Sequence, residues 1–180
     1  MIRVILAAAA LALAACDNGS NGVMREIERA EKERADAAEQ AASRSASWLE
    51  EVRAQPGVEA RPSGLLLERR AHGRNQSLPR PTENAVVLVH YEGKLANGEV
   101  FDSSFERGEP AQFPLGGVVP GFSEAIQQMR PGDEVIATFP GELGYGERGS
   151  GPIPANAALQ FRIILLAFQE PGGQPVQAPR

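Results

Sequence analysis

The most regular pattern in the chain is Ala158-Leu159-Gln160-Phe161-Arg162-Ile163-Ile164-Leu165-Leu166-Ala167-Phe168. Large apolar side chains occupy alternate positions at its start, and Gln160 and Arg162 fall between them. Successive side chains of a β-strand point to opposite faces, so this period of two predicts a strand with one face in the core. The predicted core face consists of Leu159, Phe161, Ile163 and Leu165.

Four earlier segments extend this strand into a sheet. Val86 to Tyr91 is rich in β-branched and aromatic residues, which predicts a strand that is buried over much of its surface. Ala111 to Leu115 and Glu134 to Phe139 are predicted as strands, and Leu65 to Glu68 as a first strand. Asn97-Gly98 suits a tight hairpin turn, because such turns need positive φ angles.

One short helix is expected inside the sheet-forming region. Phe122, Ile126 and Met129 follow at i, i+4 and i+7, which places them on a single apolar face. Arg130-Pro131-Gly132 ends the helix. The sequence therefore predicts an α+β fold in which an antiparallel sheet wraps around one short helix.

The first residues have the character of a secretory signal. Arg3 precedes an apolar run from Val4 to Ala15, which is shorter than the roughly 20 residues that cross a bilayer. Leu13-Ala14-Ala15-Cys16 resembles the bacterial lipobox, which implies a signal peptide over residues 1–15 and lipid attachment at Cys16. Cys16 is the one cysteine of the chain. The alternative is an ordinary cleaved signal in which Cys16 has no special role.

A helical segment without glycine or proline follows a polar tether. Residues 16–22 are predicted as a flexible lipidated tether, and residues 23–55 as a helix rich in Ala, Glu and Arg. The helix is either a dimerising element or a solvated stalk, and its alanine-rich stripe buries little apolar area. Trp48, Leu49 and Val52 form a better apolar cluster, where the helix would meet the next domain. Residues 56–82 are predicted as a connector that contains the first strand, and residues 169–180 as a disordered tail.

Composition excludes several classes of function. The net charge is -5 and no basic stripe is present, which argues against a nucleic-acid partner. Two histidines and one cysteine supply neither a metal site nor a second thiol, and no phosphate-binding or dinucleotide motif occurs. We therefore expect no metal and no cofactor, and any reaction must proceed without a nucleophile.

Five separated segments carry a resemblance to a known family. They are Val89-His90-Tyr91-Glu92-Gly93, Gly98-Glu99-Val100-Phe101-Asp102-Ser103-Ser104, Val118-Val119-Pro120-Gly121-Phe122, Leu143-Gly144-Tyr145-Gly146, and Ile153-Pro154 before Leu159-Gln160-Phe161. In this order and spacing they resemble the FKBP-type peptidyl-prolyl cis-trans isomerases over residues 83–168. The shortened Gly116-Gly117-Val118-Val119-Pro120-Gly121 and the Gly151-Pro152-Ile153-Pro154 loop look closer to one branch, the macrophage infectivity potentiator group of bacterial envelope isomerases. Members of that group also carry an N-terminal helical segment and a Pro-Ser-Gly-Leu entry, which Pro62-Ser63-Gly64-Leu65 matches.

The resemblance implies a pocket for a proline ring. Catalytic roles would fall to Asp102, Tyr145, Phe101 and Phe122, with Phe122 as the floor. Substrate-binding roles would fall to Tyr91, Phe113, Val118, Val119, Ile153 and Phe161. Since nothing needs to be deprotonated, Asp102 would orient other groups, Tyr91 among them, and would not act as a base. Two departures, Phe122 in place of the common tryptophan and Ala111 in place of a phenylalanine, are expected to widen the pocket.

The implied function is isomerisation of X-Pro bonds in exported proteins. The protein would bind proline-containing polypeptides and be lipid-anchored in the bacterial cell envelope, facing the periplasm from either membrane. Two alternatives remain at this point: a chaperone or Pro-segment binding module with little turnover, and a structural lipoprotein.

Overall fold

The computed structural model describes residues 18–179, with side chains from residue 22 onward. The predicted signal peptide over residues 1–15 and the predicted lipidation site Cys16 lie outside this range. The chain divides after Asp36 into two units. The described part of the first unit is helical, and its side chains from residue 22 onward are exposed, including Val23, Met24 and Ile27. These residues belong to helix α1, Asn18–Arg53. Between residues 18 and 179, no helix combines the length and the apolar character needed to cross a membrane.

The second unit is an antiparallel sheet with short helices. Its elements in chain order are β1 Val58–Ala60, β2 Leu66–Ala71, β3 Val86–Leu95, β4 Val100–Ser103, α2 Ser104–Arg107, β5 Ala111–Pro114, α3 Pro120–Gln127, β6 Glu134–Phe139, β7 Leu159–Gln169 and β8 Val176–Gln177. The strand order is β1-β2-β6-β7-β3-β4, with β5 paired to β3 and β8 paired to β7. Single turns of 3-10 helix lie at Leu115–Gly117, Gly141–Leu143 and Gly146–Arg148.

The core lies between this sheet and α3. Phe122, Ile126 and Met129 are buried, as their spacing predicts, and α3 contacts β6 and β7. The predicted face of β7 is buried along its length, and the intervening Gln160 and Arg162 are not. The predicted fold class, an antiparallel sheet wrapped around one short helix and preceded by an N-terminal helix, is confirmed.

Residues 37–53 of α1 belong to the second unit and pack within it through a polar contact as well as an apolar one. Val52 is buried, and Trp48 and Leu49 are half-buried, in agreement with the predicted cluster. Ser45, which the sequence analysis did not select, is also buried, and its Oγ accepts a hydrogen bond from the Ala158 backbone N–H at 2.8 Å. The contact anchors α1 next to the first residue of β7.

The structure differs from the predictions at both ends of the described region and within the sheet. Helix α1 begins at Asn18, inside the predicted flexible tether, and no proline in residues 18–22 interrupts it. Val176 and Gln177 pair with Phe168 and Ala167, so this part of the predicted disordered tail is a strand; Val176 packs against the core. Strand β4 was missed, because only four residues form it and they lack an alternating pattern.

Candidate active site

A cavity of about 270 Å³ opens between α3 and the sheet. Strands β3, β4, β5 and β7, the segment before α3, helix α3 and the loop after β6 all contribute to its walls. Its lining consists of Tyr91, Phe101, Asp102, Phe113, Gly117, Val118, Val119, Phe122, Tyr145 and Phe161. Residues far apart in the chain therefore form one mostly aromatic chamber.

Phe122 lies at the centre of the aromatic set. Its ring meets the rings of Phe161, Tyr91 and Phe113 edge to face, with centroid distances of 5.0, 5.9 and 6.2 Å. Phe101 meets Phe161 in the same way at 5.5 Å. Edge-to-face contacts set the relative orientation of aromatic rings as well as burying apolar area. The aromatic rings of the cavity wall therefore hold one another in fixed relative orientations.

Two glycines allow the rings to approach this closely. A Cβ atom built on Gly93 would lie 2.6 Å from Phe101 Cζ and 2.7 Å from Phe161 Cε1. A Cβ atom on Gly121 would lie 2.4 Å from the ring of Phe139, which stacks behind Phe161 at 5.7 Å. Contacts below 3.0 Å require the neighbouring atoms to move. The absence of a side chain at both positions therefore determines where Phe161 lies.

Strand β4 directs two consecutive side chains into the cavity. Gly93 pairs with Asp102 and the next residue, Lys94, pairs with Val100, which leaves Phe101 as an extra residue in β4. Neighbouring residues of a regular strand point to opposite faces, whereas a β-bulge re-aims one of them. The bulge thus brings both Phe101 and Asp102 to the cavity.

A polar group of three side chains forms one edge. The Tyr91 hydroxyl donates to Asp102 Oδ2, and Arg107 Nη1 donates to Asp102 Oδ1 at 2.5 Å. Arg107 Nη2 also donates to the Tyr91 oxygen at 3.1 Å, and the guanidinium carbon lies 5.6 Å from the Tyr91 ring centroid. Arg107 ends α2, which Ser103 caps by accepting from the Glu106 N–H.

The electrostatics keep this carboxylate ionised. Burial raises the pKa of Asp102, but the hydrogen bonds from Tyr91 and Arg107 and the charge of Arg107 outweigh it, leaving the pKa below its usual range. Burial and the hydrogen bond to Asp102 raise the pKa of Tyr91. Asp102 is therefore a charged acceptor already engaged by two donors, which suits a positioning role and not a general base.

Two donors at the cavity remain available. The Tyr145 side chain is 39% exposed, and its hydroxyl makes no hydrogen bond within residues 18–179. The Val119 backbone N–H precedes α3 and likewise has no acceptor in the described part of the chain. Both are free to bind carbonyl groups of a ligand.

The structure places nine of the ten pocket residues selected from the sequence on this cavity. Ile153 is the exception: it is buried and exchanges backbone hydrogen bonds with Ser150. Ala111 does not line the cavity either. The sequence analysis did not select Gly117, which lines the cavity, or Arg107, which binds Asp102. The sequence from the capping residue Ser103 to Arg107-Gly108 is typical of a short helix, and this pattern could have pointed to Arg107.

No metal site accompanies the cavity in the described region. Between residues 18 and 179, no group of three or more His, Cys, Asp or Glu side chains is placed to hold an ion.

The sequence and the fold match known proteins. The pattern of the FKBP-type peptidyl-prolyl cis-trans isomerases matches residues 78–166. An FKBP-type 22 kDa peptidyl-prolyl cis-trans isomerase of Escherichia coli is 43% identical over 145 residues, which cover 79% of this chain and 69% of that protein. This chain therefore belongs to the FKBP-type peptidyl-prolyl cis-trans isomerase family, as the five segments predicted.

Two FkpA proteins are also similar to this chain. FkpA, an FKBP-type peptidyl-prolyl cis-trans isomerase of Aeromonas hydrophila, is 44% identical over 115 residues, 64% of this chain; the match spans only 42% of that protein. The crystal structure of FkpA from Escherichia coli superposes with a TM-score of 0.75 at 28% identity, covering 92% of this chain and 75% of that one.

Proposed function

We propose that this protein is a peptidyl-prolyl cis-trans isomerase that binds proline-containing polypeptides in the cavity and accelerates rotation about the X-Pro bond. The single observation that carries the proposal is the chamber centred on Phe122, with two unused donors beside it. An apolar ring fits the aromatic walls, and the donors suit the carbonyl groups on either side of it.

The reaction needs no covalent step. Rotation about an amide costs about 18–20 kcal/mol, because conjugation between nitrogen and carbonyl is lost in the twisted form. The twisted amide has less charge separation than the planar one, so a water-poor aromatic chamber favours it relative to water. Tyr145 and the Val119 N–H hold the flanking carbonyls, and Phe122 supports the proline ring. Catalysis then consists of tighter binding of the twisted form.

Asp102 contributes by position. Its carboxylate holds the Tyr91 hydroxyl and Arg107 at the cavity edge, and its lowered pKa keeps it charged at neutral pH. With Arg107 neutralising that charge, Asp102 maintains the wall that Tyr91 provides without attracting water to the chamber as a lone carboxylate would.

The test is exchange spectroscopy by NMR on an X-Pro peptide, without a coupled protease. Uncatalysed exchange takes tens of seconds, so acceleration is easily seen. Phe122→Leu keeps an apolar side chain but removes the ring, and we expect kcat/KM to fall about tenfold, equivalent to about 1.4 kcal/mol. Phe105→Leu is the matched control, since Phe105 stacks on His90 outside the cavity. Exchange at the uncatalysed rate with the intact protein would refute the proposal.

The binding-module alternative gives a different result in the same experiment. A protein that only holds Pro-containing segments would shift peptide resonances on titration while the exchange rate stayed at its uncatalysed value. Unchanged resonances and an unchanged rate together would indicate the structural lipoprotein instead.

We further propose that the protein works in the bacterial cell envelope as a lipoprotein that faces the periplasm. The support is the sequence Leu13-Ala14-Ala15-Cys16 after an apolar run, and the exposed helical segment that follows. Mass spectrometry of the protein purified from membranes should show acyl groups on Cys16 and none in Cys16→Ser. An unmodified Cys16 thiol contradicts the proposal.

Homodimerisation through the N-terminal helix is a separate proposal. Val23, Met24 and Ile27 are 58%, 55% and 45% exposed, which is unusual for large apolar side chains on one helix. Light scattering with and without residues 17–36 should show a change from dimer to monomer. A monomer in both cases would favour the solvated stalk.

A further inference from the structure

Helix α1 contacts the loop that carries Tyr145. We call residues 140–158, which connect β6 to β7, the Tyr145 loop. The Ser45 hydroxyl of α1 accepts a hydrogen bond from the Ala158 N–H at 2.8 Å, and both residues are buried. Residues 37–53 of α1 and the Tyr145 loop belong to the same unit, so this contact is part of its packing.

The contact holds a residue that the sheet does not hold. The pairing of β7 with β3 and with β6 begins at Leu159, so Ala158 lies one residue before the ladder. A buried backbone N–H needs an acceptor, and Ser45 supplies it for Ala158. Helix α1 thereby extends the fixed part of the chain from the sheet into the Tyr145 loop.

Backbone contacts continue from Ala158 to the residue next to Tyr145. The Asn156 N–H, two residues before Ala158, donates to the Gly146 carbonyl at 2.8 Å, and Gly146 directly follows Tyr145. Asn156 has a φ of 57°, in the left-handed region that residues with a side chain rarely adopt. A Cβ atom on Gly141 would lie 2.7 Å from Asn156 Cα, so the two backbones are in close contact. A strained residue of this kind keeps its conformation only where its surroundings fix it, and the anchored Ala158 is part of those surroundings.

We propose that Ser45 is a positioning residue for the isomerase: through Ala158 and Asn156 it determines where the Tyr145 hydroxyl lies at the cavity. This role rests on the proposed function, in which that hydroxyl donates to a carbonyl group beside the X-Pro bond. The Tyr145 side chain is 39% exposed and its hydroxyl makes no hydrogen bond within residues 18–179, so its position depends on the backbone of its loop. A hydrogen bond needs its two heavy atoms about 3 Å apart, and a displacement of about 1 Å in the loop would weaken it.

The experiment is a double-mutant cycle between Ser45→Ala and Tyr145→Phe, measured by NMR exchange on an X-Pro peptide with the full chain. We expect Ser45→Ala alone to lower kcat/KM about fivefold, and to lower it less than about twofold when Tyr145→Phe is already present, because residues that act through one another are not additive. Equal losses in the two backgrounds would show that Ser45 acts on the fold in general and would overturn the proposal. An unchanged kcat/KM in Ser45→Ala would overturn it as well.

Two control variants isolate the hydroxyl group. Ser45→Thr keeps the acceptor, and a cavity of about 50 Å³ next to Ser45 can take the added methyl group, so kcat/KM should stay close to that of the wild type. Ser47→Ala, at an exposed position of the same helix, should also leave kcat/KM unchanged. Urea unfolding verifies that each variant is folded under the conditions of the assay. A loss in Ser45→Thr as large as that in Ser45→Ala would contradict a role for the hydroxyl.

Hydrogen exchange tests the connection to the loop without using activity. The Asn156 N–H is protected by the Gly146 carbonyl, and we expect its exchange to accelerate about tenfold in Ser45→Ala and to stay unchanged in Ser47→Ala. Unchanged protection of Asn156 in Ser45→Ala would overturn the positioning role even if the wild type is an active isomerase. A wild type that does not accelerate X-Pro exchange would instead refute the proposed function, whatever the exchange rate at Asn156.

Discussion

The Tyr91 hydroxyl donates a hydrogen bond to the Asp102 carboxylate, joining adjacent strands β3 and β4 at the edge of the cavity. Arg107 contacts both partners, so the carboxylate has two donors and a neighbouring positive charge. These interactions explain how the charged Asp102 side chain can lie beside an aromatic cavity, because Tyr91 and Arg107 already bind its carboxylate when no ligand is present. They also separate the two tyrosines of the site, since Tyr91 is occupied and Tyr145 is free.

Tyr91→Phe should therefore reduce stability, whereas Tyr145→Phe should reduce activity. Tyr91→Phe removes a hydrogen bond to a charged acceptor, and we expect the free energy of unfolding to fall by about 1 kcal/mol. Tyr145→Phe should leave it within about 0.5 kcal/mol, because its hydroxyl has no partner to lose, but should lower kcat/KM. Urea unfolding and NMR exchange measure the two effects. A stability loss in Tyr145→Phe equal to that of Tyr91→Phe would contradict this division.

The isomerase rate should not depend on pH between about 6 and 8. The pKa of Asp102 lies below its usual value of about 3.9, and that of Tyr91 lies above its usual value of about 10. Neither group changes charge in this interval, and no proton transfer is required. The measurement is kcat/KM at several pH values and constant ionic strength. A bell-shaped profile centred in this range would instead indicate acid–base catalysis.

Gly93→Ala should weaken substrate binding. The new methyl group meets Phe101 and Phe161, so one or both rings must shift into the cavity. We expect KM to rise about tenfold, with a smaller change in kcat, because the chamber narrows before the substrate enters. Gly116→Ala is the matched control: its Cβ would meet only the Glu83 carbonyl at 3.7 Å, an ordinary contact. Urea unfolding verifies that both proteins are folded. Equal KM values for Gly93→Ala and the wild type would then contradict the prediction and show that Phe101 and Phe161 can move without narrowing the cavity.

Ser45→Ala should weaken the contact, inside the second unit, between the C-terminal part of α1 and the start of β7. The Ala158 N–H would remain buried without its acceptor, at a cost of about 1–3 kcal/mol. Ser47→Ala, at an exposed position of the same helix, serves as control. Hydrogen exchange at Ala158 should accelerate in the Ser45 variant alone. Identical urea midpoints for both variants would mean that water replaces the serine hydroxyl.

The contribution of Asp133 to stability should depend on pH. Burial raises the pKa of Asp133. The hydrogen bonds from the Gly73 and Arg130 N–H groups and the charge of Arg69 lower this pKa by more than burial raises it, so the folded pKa lies below the unfolded value. Its stabilising effect is then fully present above the unfolded pKa of about 3.9 and is lost as the pH falls through the folded pKa. The difference in unfolding free energy between wild type and Asp133→Asn should be largest above pH 5 and shrink below about pH 4. If the difference in unfolding free energy grew as the pH fell, the folded pKa of Asp133 would lie above the unfolded value, which contradicts the prediction.

Much of this molecule follows from local pattern. The alternation of β7, the apolar face of α3 and the β-branched run of β3 identified the sheet and its helix, because side-chain periodicity depends only on the backbone geometry of each element. The resemblance carried by five segments of the chain likewise predicted the family, and through the family nine residues of the cavity.

The structure alone decided how those residues meet. Phe101 and Asp102 are adjacent in sequence and would face opposite ways in a regular strand; the bulge opposite Gly93 turns both to the cavity. Ile153, chosen by its place in a motif, is instead buried in the core and absent from the cavity lining. Arg107 reaches Asp102 only through the short helix that Ser103 caps. Bulges, caps and contacts between distant segments depend on strand register and packing, and neither is encoded in the period of any one segment.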